Sequence, residues 1–126
     1  MKVLILDDET EVLEMLVTIV SNILSPDELK TFQDPLKALE SLEVDSYDLV
    51  VSDLNMPGLN GVELLKKVHE KKGADTPNFI FNTGHPESVV LDDELSSFVV
   101  GTFDKVSNIS SFLEALSKHK SESESE

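Results

Sequence analysis

Short apolar runs alternate along the chain with longer stretches whose apolar residues recur at helical spacing. The runs are Val3-Leu4-Ile5-Leu6, Leu49-Val50-Val51, Phe79-Ile80-Phe81, and Phe98-Val99-Val100 continuing through Thr102-Phe103; a weaker one spans Glu28 to Phe32. Lacking polar alternation, they read as parallel strands covered on both faces. Between them, Val12, Leu16, Ile19, Val20 and Ile23 share one helical face, and Ile109, Phe112, Leu113 and Leu116 repeat the spacing. Asp34-Pro35 offers an N-cap followed by proline at the first helical position, predicting a helix through about Glu43. Asn60 caps a predicted helix to about Lys72, closed by Gly73 and a turn through Pro77. Pro86 opens a shorter one through about Leu95.

The order is βα repeated five times within 126 residues, the length of one domain. Such alternation predicts an α/β fold, a doubly wound parallel sheet of five strands with right-handed crossovers and helices on both faces. Ligands of such sheets sit at the carboxyl ends of the strands, where the strand order reverses. Residues 1–120 are assigned to this domain, with Lys118-His119-Lys120 suited to a helix C-terminus. The Ser/Glu alternation of 121–126 predicts a disordered acidic tail. His69 and His119 are placed on polar helix faces and given no role.

Composition narrows the chemistry. With no Cys, disulfides, thiolate metal sites and thiol nucleophiles are excluded. Twenty-five acidic against ten basic residues give a net charge of −15, and every basic residue is Lys. Without the planar fork of Arg, and with a field that repels polyanions, direct nucleic-acid binding is not expected. No apolar run approaches the length needed to span a bilayer. The start Met1-Lys2-Val3-Leu4 runs straight into acidic residues with no leader pattern, so a cytoplasmic protein with no membrane partner is expected.

The informative carboxylates lie at the predicted strand ends. The first strand ends in Asp7-Asp8 followed by Glu9, the third in Ser52-Asp53, the fourth in Thr83-Gly84 and the fifth in Asp104-Lys105. A parallel sheet places Asp7, Asp8 and Asp53 as neighbours on one rim, flanked by Thr83 and Lys105. Like charges about 4 Å apart repel by about 4 kcal/mol per pair at an effective dielectric of about 20. Such a pocket retains a proton or binds a cation. Oxygen ligands without His or Cys favour a hard divalent ion, and Mg²⁺ suits an incomplete cage that also takes a phosphoryl oxygen. A carboxylate in that setting is a nucleophile toward phosphorus, with Lys and a Thr hydroxyl to hold the other phosphoryl oxygens. Taken singly, each residue has an ordinary explanation: Asp8 or Glu9 as helix cap, Asp53 as turn former, Lys105 as surface lysine. Their joint placement on four strand ends does not.

These residues resemble the receiver domain of bacterial two-component response regulators, in particular stand-alone chemotaxis-type receivers. The matching elements are Asp7-Asp8, Asp53 within Asp53-Leu54-Asn55-Met56-Pro57-Gly58-Leu59-Asn60-Gly61, Thr83 with Gly84, and Lys105. The resemblance implies a flavodoxin-like strand order of 2-1-3-4-5 and a signalling phosphoacceptor rather than an enzyme. Asp53 would take a phosphoryl group from a phosphohistidine on a sensor kinase or phosphotransfer protein. Asp8, Asp53 and the Asn55 backbone carbonyl would ligate Mg²⁺, with Asp7 assisting through a water. Lys105 and Thr83 would engage the phosphoryl group, and a downstream protein would dock on the face of the fourth helix, fifth strand and fifth helix. A homodimer through that face is left open.

Three departures from the family bear on the output. Thr102 stands where most members carry Tyr or Phe, Val106 replaces the proline usual after the lysine, and His85 occupies a position that tunes phosphoryl lifetime. They keep open a receiver-fold interaction module whose output is independent of phosphorylation. An aspartate-nucleophile phosphatase of the haloacid-dehalogenase type would require Asp-x-Asp after the first strand, where Asp7 is followed by Glu9 at that spacing. A flavin mononucleotide carrier would require a Ser/Thr/Gly-rich phosphate loop there instead of Asp7-Asp8-Glu9.

Overall fold

A computed structural model describes residues 1–83, 91–104 and 109–124. Five strands, β1 (Lys2–Leu6), β2 (Glu28–Phe32), β3 (Leu49–Ser52), β4 (Asn78–Thr83) and β5 (Val99–Asp104), form one parallel sheet in the order β2-β1-β3-β4-β5. The helices are α1 (Thr10–Leu24), α2 (Pro35–Val44), α3 (Gly61–Lys72), α4 (Asp93–Ser96) and α5 (Ile109–Glu124), and a 3₁₀ turn covers Gly73–Asp75. The order reverses between β1 and β3, as the family resemblance implies.

Side-chain parity along the central strands divides the core in two. Val3, Ile5, Leu49, Val51 and Ile80 pack with Leu13, Leu16 and Val20 of α1 and Phe112 and Leu116 of α5. Leu4, Leu6, Val50, Phe79 and Phe81 pack with Ala38 and Leu42 of α2, Leu64, Leu65 and Val68 of α3, and Leu95 of α4. Every residue of Val3–Leu6 is fully buried, which explains why β1 shows no alternation.

Local chemistry closes the helices. Asp34 accepts from the Leu36 amide at 3.0 Å ahead of Pro35. Asn60 and Glu63 form a reciprocal capping box at 2.8 and 3.1 Å, and Gly73 (φ 55°) ends α3. These ends agree with the sequence patterns. Three features do not. The helix expected from Pro86 through about Leu95 is interrupted: among the described residues Asp92 is extended, its side chain caps the Leu95 amide at 2.8 Å, and α4 follows over Asp93–Ser96, while Pro86 lies outside the described residues. Helix α5 continues through Glu124, so the disordered tail expected from residue 121 does not begin there; extending a formed helix needs no new nucleus, and Glu is a good helix former. His69 and His119 are not solvated. His69 bonds Thr76 and Glu94 at 3.2 and 2.9 Å and stacks on Phe98, while His119 is buried with Nε2 3.4 Å from Asn78 Nδ2.

The β5 edge carries an irregularity. Phe79 pairs with Val99 but Ile80 with Gly101, so Val100 is an inserted bulge residue and remains 40% exposed.

Candidate functional site

At the carboxyl rim, β1 runs into Asp7-Asp8 and β3 into Asp53. Leu6 pairs with Ser52, so Asp7 and Asp53 occupy the next step of the same register. The Asp53 amide donates to the Leu6 carbonyl at 3.0 Å and the Asp7 amide to the Phe32 carbonyl at 3.2 Å, which ties both aspartates to neighbouring strands. Asp7 and Asp53 are buried, at 0% and 4% exposure, whereas Asp8 faces solvent. One carboxylate oxygen from each of Asp7, Asp8 and Asp53 lies within 4.8 Å of the others. Each like-charged pair at that distance repels by about 3.5 kcal/mol at an effective dielectric of about 20, and less where Asp8 meets water.

Backbone donors orient two of the three groups. Asp7 Oδ1 accepts from the Glu9 amide at 2.9 Å, and Asp53 Oδ1 from the Asn55 amide at 3.3 Å. The donor set suits a small hard cation. Octahedral ligands with bonds of about 2.0–2.1 Å lie roughly 2.9–4.2 Å apart, so oxygens within 4.8 Å reach such an ion after side-chain adjustments of a few tenths of an ångström.

Thr83 ends β4 fully buried, and its hydroxyl accepts from Asn55 Nδ2 at 3.4 Å, which links the β3 loop to β4. Thr102 is half-buried and pairs with Phe81, on the face covered by α2, α3 and α4. Gly84, His85, Lys105 and Val106 lie outside the described residues.

A family model described as the response regulator receiver domain matches residues 3–117. The chain belongs to this family. Receiver domains are signalling phosphoacceptor domains that histidine kinases or phosphotransfer proteins phosphorylate, and they bind Mg²⁺ at an acidic pocket. The receiver is 32% identical over 97 residues to the transcriptional regulatory protein LytR of Staphylococcus aureus, an alignment covering 77% of this chain and 39% of LytR. The chain thus spans well under half the length of that relative. Among solved structures, the response regulatory domain of mrkE from Klebsiella pneumoniae shares the fold at 24% identity, with a TM-score of 0.81 and full coverage of both chains. The response regulator TrrA of Thermotoga maritima, solved in complex with Mg(2+)-BeF, is 25% identical with a TM-score of 0.74 over 94% of this chain and 97% of its own. No helix among the described residues is long and apolar enough to cross a membrane.

Two residues of the receiver's rim have a role that sequence reasoning did not assign. Gly61 begins α3 where a Cβ would lie 2.7 Å from the Asp53 carbonyl oxygen and 3.0 Å from the Phe81 ring. Its glycine therefore permits the close approach of α3 to the Asp53 backbone, a requirement that resembles ordinary loop punctuation in the sequence. Asn82 is 3% exposed one step beyond the Ser52–Phe81 pair, and its register shows only once the strands are aligned.

Proposed function

We propose that this receiver is a phosphorylation-dependent switch whose acceptor is Asp53. The convergence of Asp7, Asp8 and a buried Asp53 at the point of strand reversal carries the reading. An Asp53 carboxylate oxygen attacks the phosphorus of a phosphohistidine; the P–N bond breaks, and the imidazole nitrogen leaves with the electron pair and takes a proton. Asp53 thereby becomes an acyl phosphate, with backbone donation from Asn55 fixing its orientation. Asp8, Asp53 and the Asn55 carbonyl would hold Mg²⁺, with Asp7 assisting. When bound, Mg²⁺ neutralises charge that develops on the transferring phosphoryl oxygens. The TrrA likeness supports this ion, as does the all-oxygen donor set.

Thr83 and Lys105 engage the phosphoryl oxygens, Thr83 leaving its present contact with Asn55. Gly84, His85 and Thr102 tune the response. The partners are a sensor histidine kinase or phosphotransfer protein and a downstream protein docking on α4, β5 and α5, by which the receiver signals or relays the phosphoryl group. The test is intact mass after incubation with acetyl phosphate. A gain of one phosphoryl group in wild type, dependent on Mg²⁺ and lost in Asp53→Asn, supports the reading; an unimpaired Asp53→Asn overturns it.

A further inference from the structure

The sheet register places a third polar side chain in the same row as the two buried carboxylates, Asp7 and Asp53. Leu6 pairs with Ser52, Ser52 with Phe81, and Asn82 with Phe103. One step further along β1, β3 and β4, the row reads Asp7, Asp53, Asn82, and it meets Phe103 on β5. Parity sets all four on the face of α1 and α5, since Ile5, Val51 and Ile80 two residues earlier belong to that core and Phe103 packs against it. Asn82 therefore stands beside Asp53 on the side away from Asp7, about one strand spacing of 4.8 Å distant.

Its environment is unusual for an amide. Asn82 is 3% exposed, and among the described residues no side-chain hydrogen bond is made to it. On the β5 side, the Phe103 ring leans back along the strand, away from the rim. A Cβ on Gly101 would lie 2.5 Å from that ring, and the ring meets Phe112 at 6.0 Å between centroids. Phe103 consequently does not itself cover the rim side of Asn82. No hydrogen bond to a described residue depends on this amide, so an apolar residue of similar volume would pack there at little loss.

We propose that the Asn82 carboxamide donates a hydrogen bond to the phosphoryl group carried by Asp53. Phosphorylation adds three strong acceptor oxygens at the adjacent position of the row, and an amide offers two N–H donors without adding charge to an acidic pocket. The proposal rests on the reading of Asp53 as acceptor.

The test compares Asn82→Leu with wild type, using acetyl phosphate as donor. Melting temperature, Mg²⁺ affinity, rate of phosphorylation and lifetime of the phosphorylated form are measured together. Asn82→Leu is expected to melt at or above the wild-type temperature and to bind Mg²⁺ within about twofold of it. Its phosphorylation should slow by about 10- to 100-fold, the loss that follows removal of a hydrogen bond to a charged acceptor. Should Asn82→Leu not fold, Asn82→Ala removes the same donors without added bulk and carries the same expectation for rate. Unchanged rate and lifetime in a folded variant overturn the proposal. A melting temperature several degrees lower in both variants also overturns it, because the amide would then hold the fold together. A wild type that gains no phosphoryl group removes Asp53 as acceptor and the role of Asn82 with it, which separates failure of that reading from failure at Asn82 alone.

Discussion

Replacing Asp8 with Asn isolates the electrostatic strain of the acidic pocket from its chemistry. The substitution preserves side-chain volume and removes one of three charges whose oxygens lie within 4.8 Å. Two like-charged pairs are relieved, with Asp7 and with Asp53, each carrying up to about 3.5 kcal/mol at an effective dielectric of about 20. Asp8 is exposed, so water and salt screen most of that repulsion, and exposed charge pairs are worth about 1 kcal/mol or less each. Without divalent ions, Asp8→Asn is therefore expected to be about 1–2 kcal/mol more stable than wild type. For 126 residues, about 4 °C of melting temperature corresponds to each kcal/mol. Added Mg²⁺ narrows the difference and, well above the dissociation constant, reverses it. Wild type gains about 1.4 kcal/mol at ten times the dissociation constant, and the variant, which has lost a ligand, gains much less. Thermal denaturation in chelator and across a Mg²⁺ titration, with Ca²⁺ as a control for ion size, measures both terms. An Asp8→Asn protein less stable than wild type in chelator would refute the crowding of the pocket, and equal gains from Mg²⁺ would refute Asp8 as a ligand.

Other substitutions probe what supports the rim. Gly61→Ala is expected to cost about 1–3 kcal/mol by urea denaturation, because the new methyl meets the Asp53 carbonyl at 2.7 Å, a backbone atom that cannot swing aside. Gly58→Ala, at φ 88° with nothing within 4 Å, should cost about 1 kcal/mol through backbone strain alone; equal losses at the two sites would discount the steric account. At the opposite rim, hydrogen bonding to Glu28 raises the Lys2 ammonium above its ordinary value, helped by Asp45. Its stabilisation is complete below the unfolded pKa of about 10.4 and fades as pH climbs through the folded value. Lys2→Met should therefore lose part of the decline in urea midpoint that wild type shows as pH rises above about 10; superimposable profiles would count against that pairing.

Most of the fold was legible because burial on both faces leaves uninterrupted apolar runs and because helix ends carry their own chemistry. Val3–Leu6 and Leu49–Val51 are buried throughout, and Asp34-Pro35 and Asn60 with Glu63 cap the helices they announce. Features set by tertiary geometry were hidden. Ser25 ends α1 in a left-handed conformation at φ 44° without a glycine to mark it, and the bulge at Val100 depends on pairing with β4. His119 resembled a surface residue because its neighbours in sequence are lysines, although the helix turns it onto Asn78. At the site, the three aspartates were readable from their position after apolar runs. Their unequal exposure was not, since Asp7 directly follows β1 with its amide still bonded to the Phe32 carbonyl, while Asp8 lies one step further beyond the sheet. Asn82 stayed unread for a related reason: a polar residue near the end of Asn78–Thr83 gains meaning only from the strand beside it.

The most direct test of the central claim locates the phosphoryl group chemically. Receiver treated with acetyl phosphate and Mg²⁺ is reduced with borohydride, which converts an acyl phosphate of aspartate to homoserine, and peptides are then mapped by mass spectrometry. The account predicts homoserine at position 53 alone, absent when Mg²⁺ is chelated. Homoserine at position 7 or 8, or at position 53 with the same yield in chelator, would contradict it.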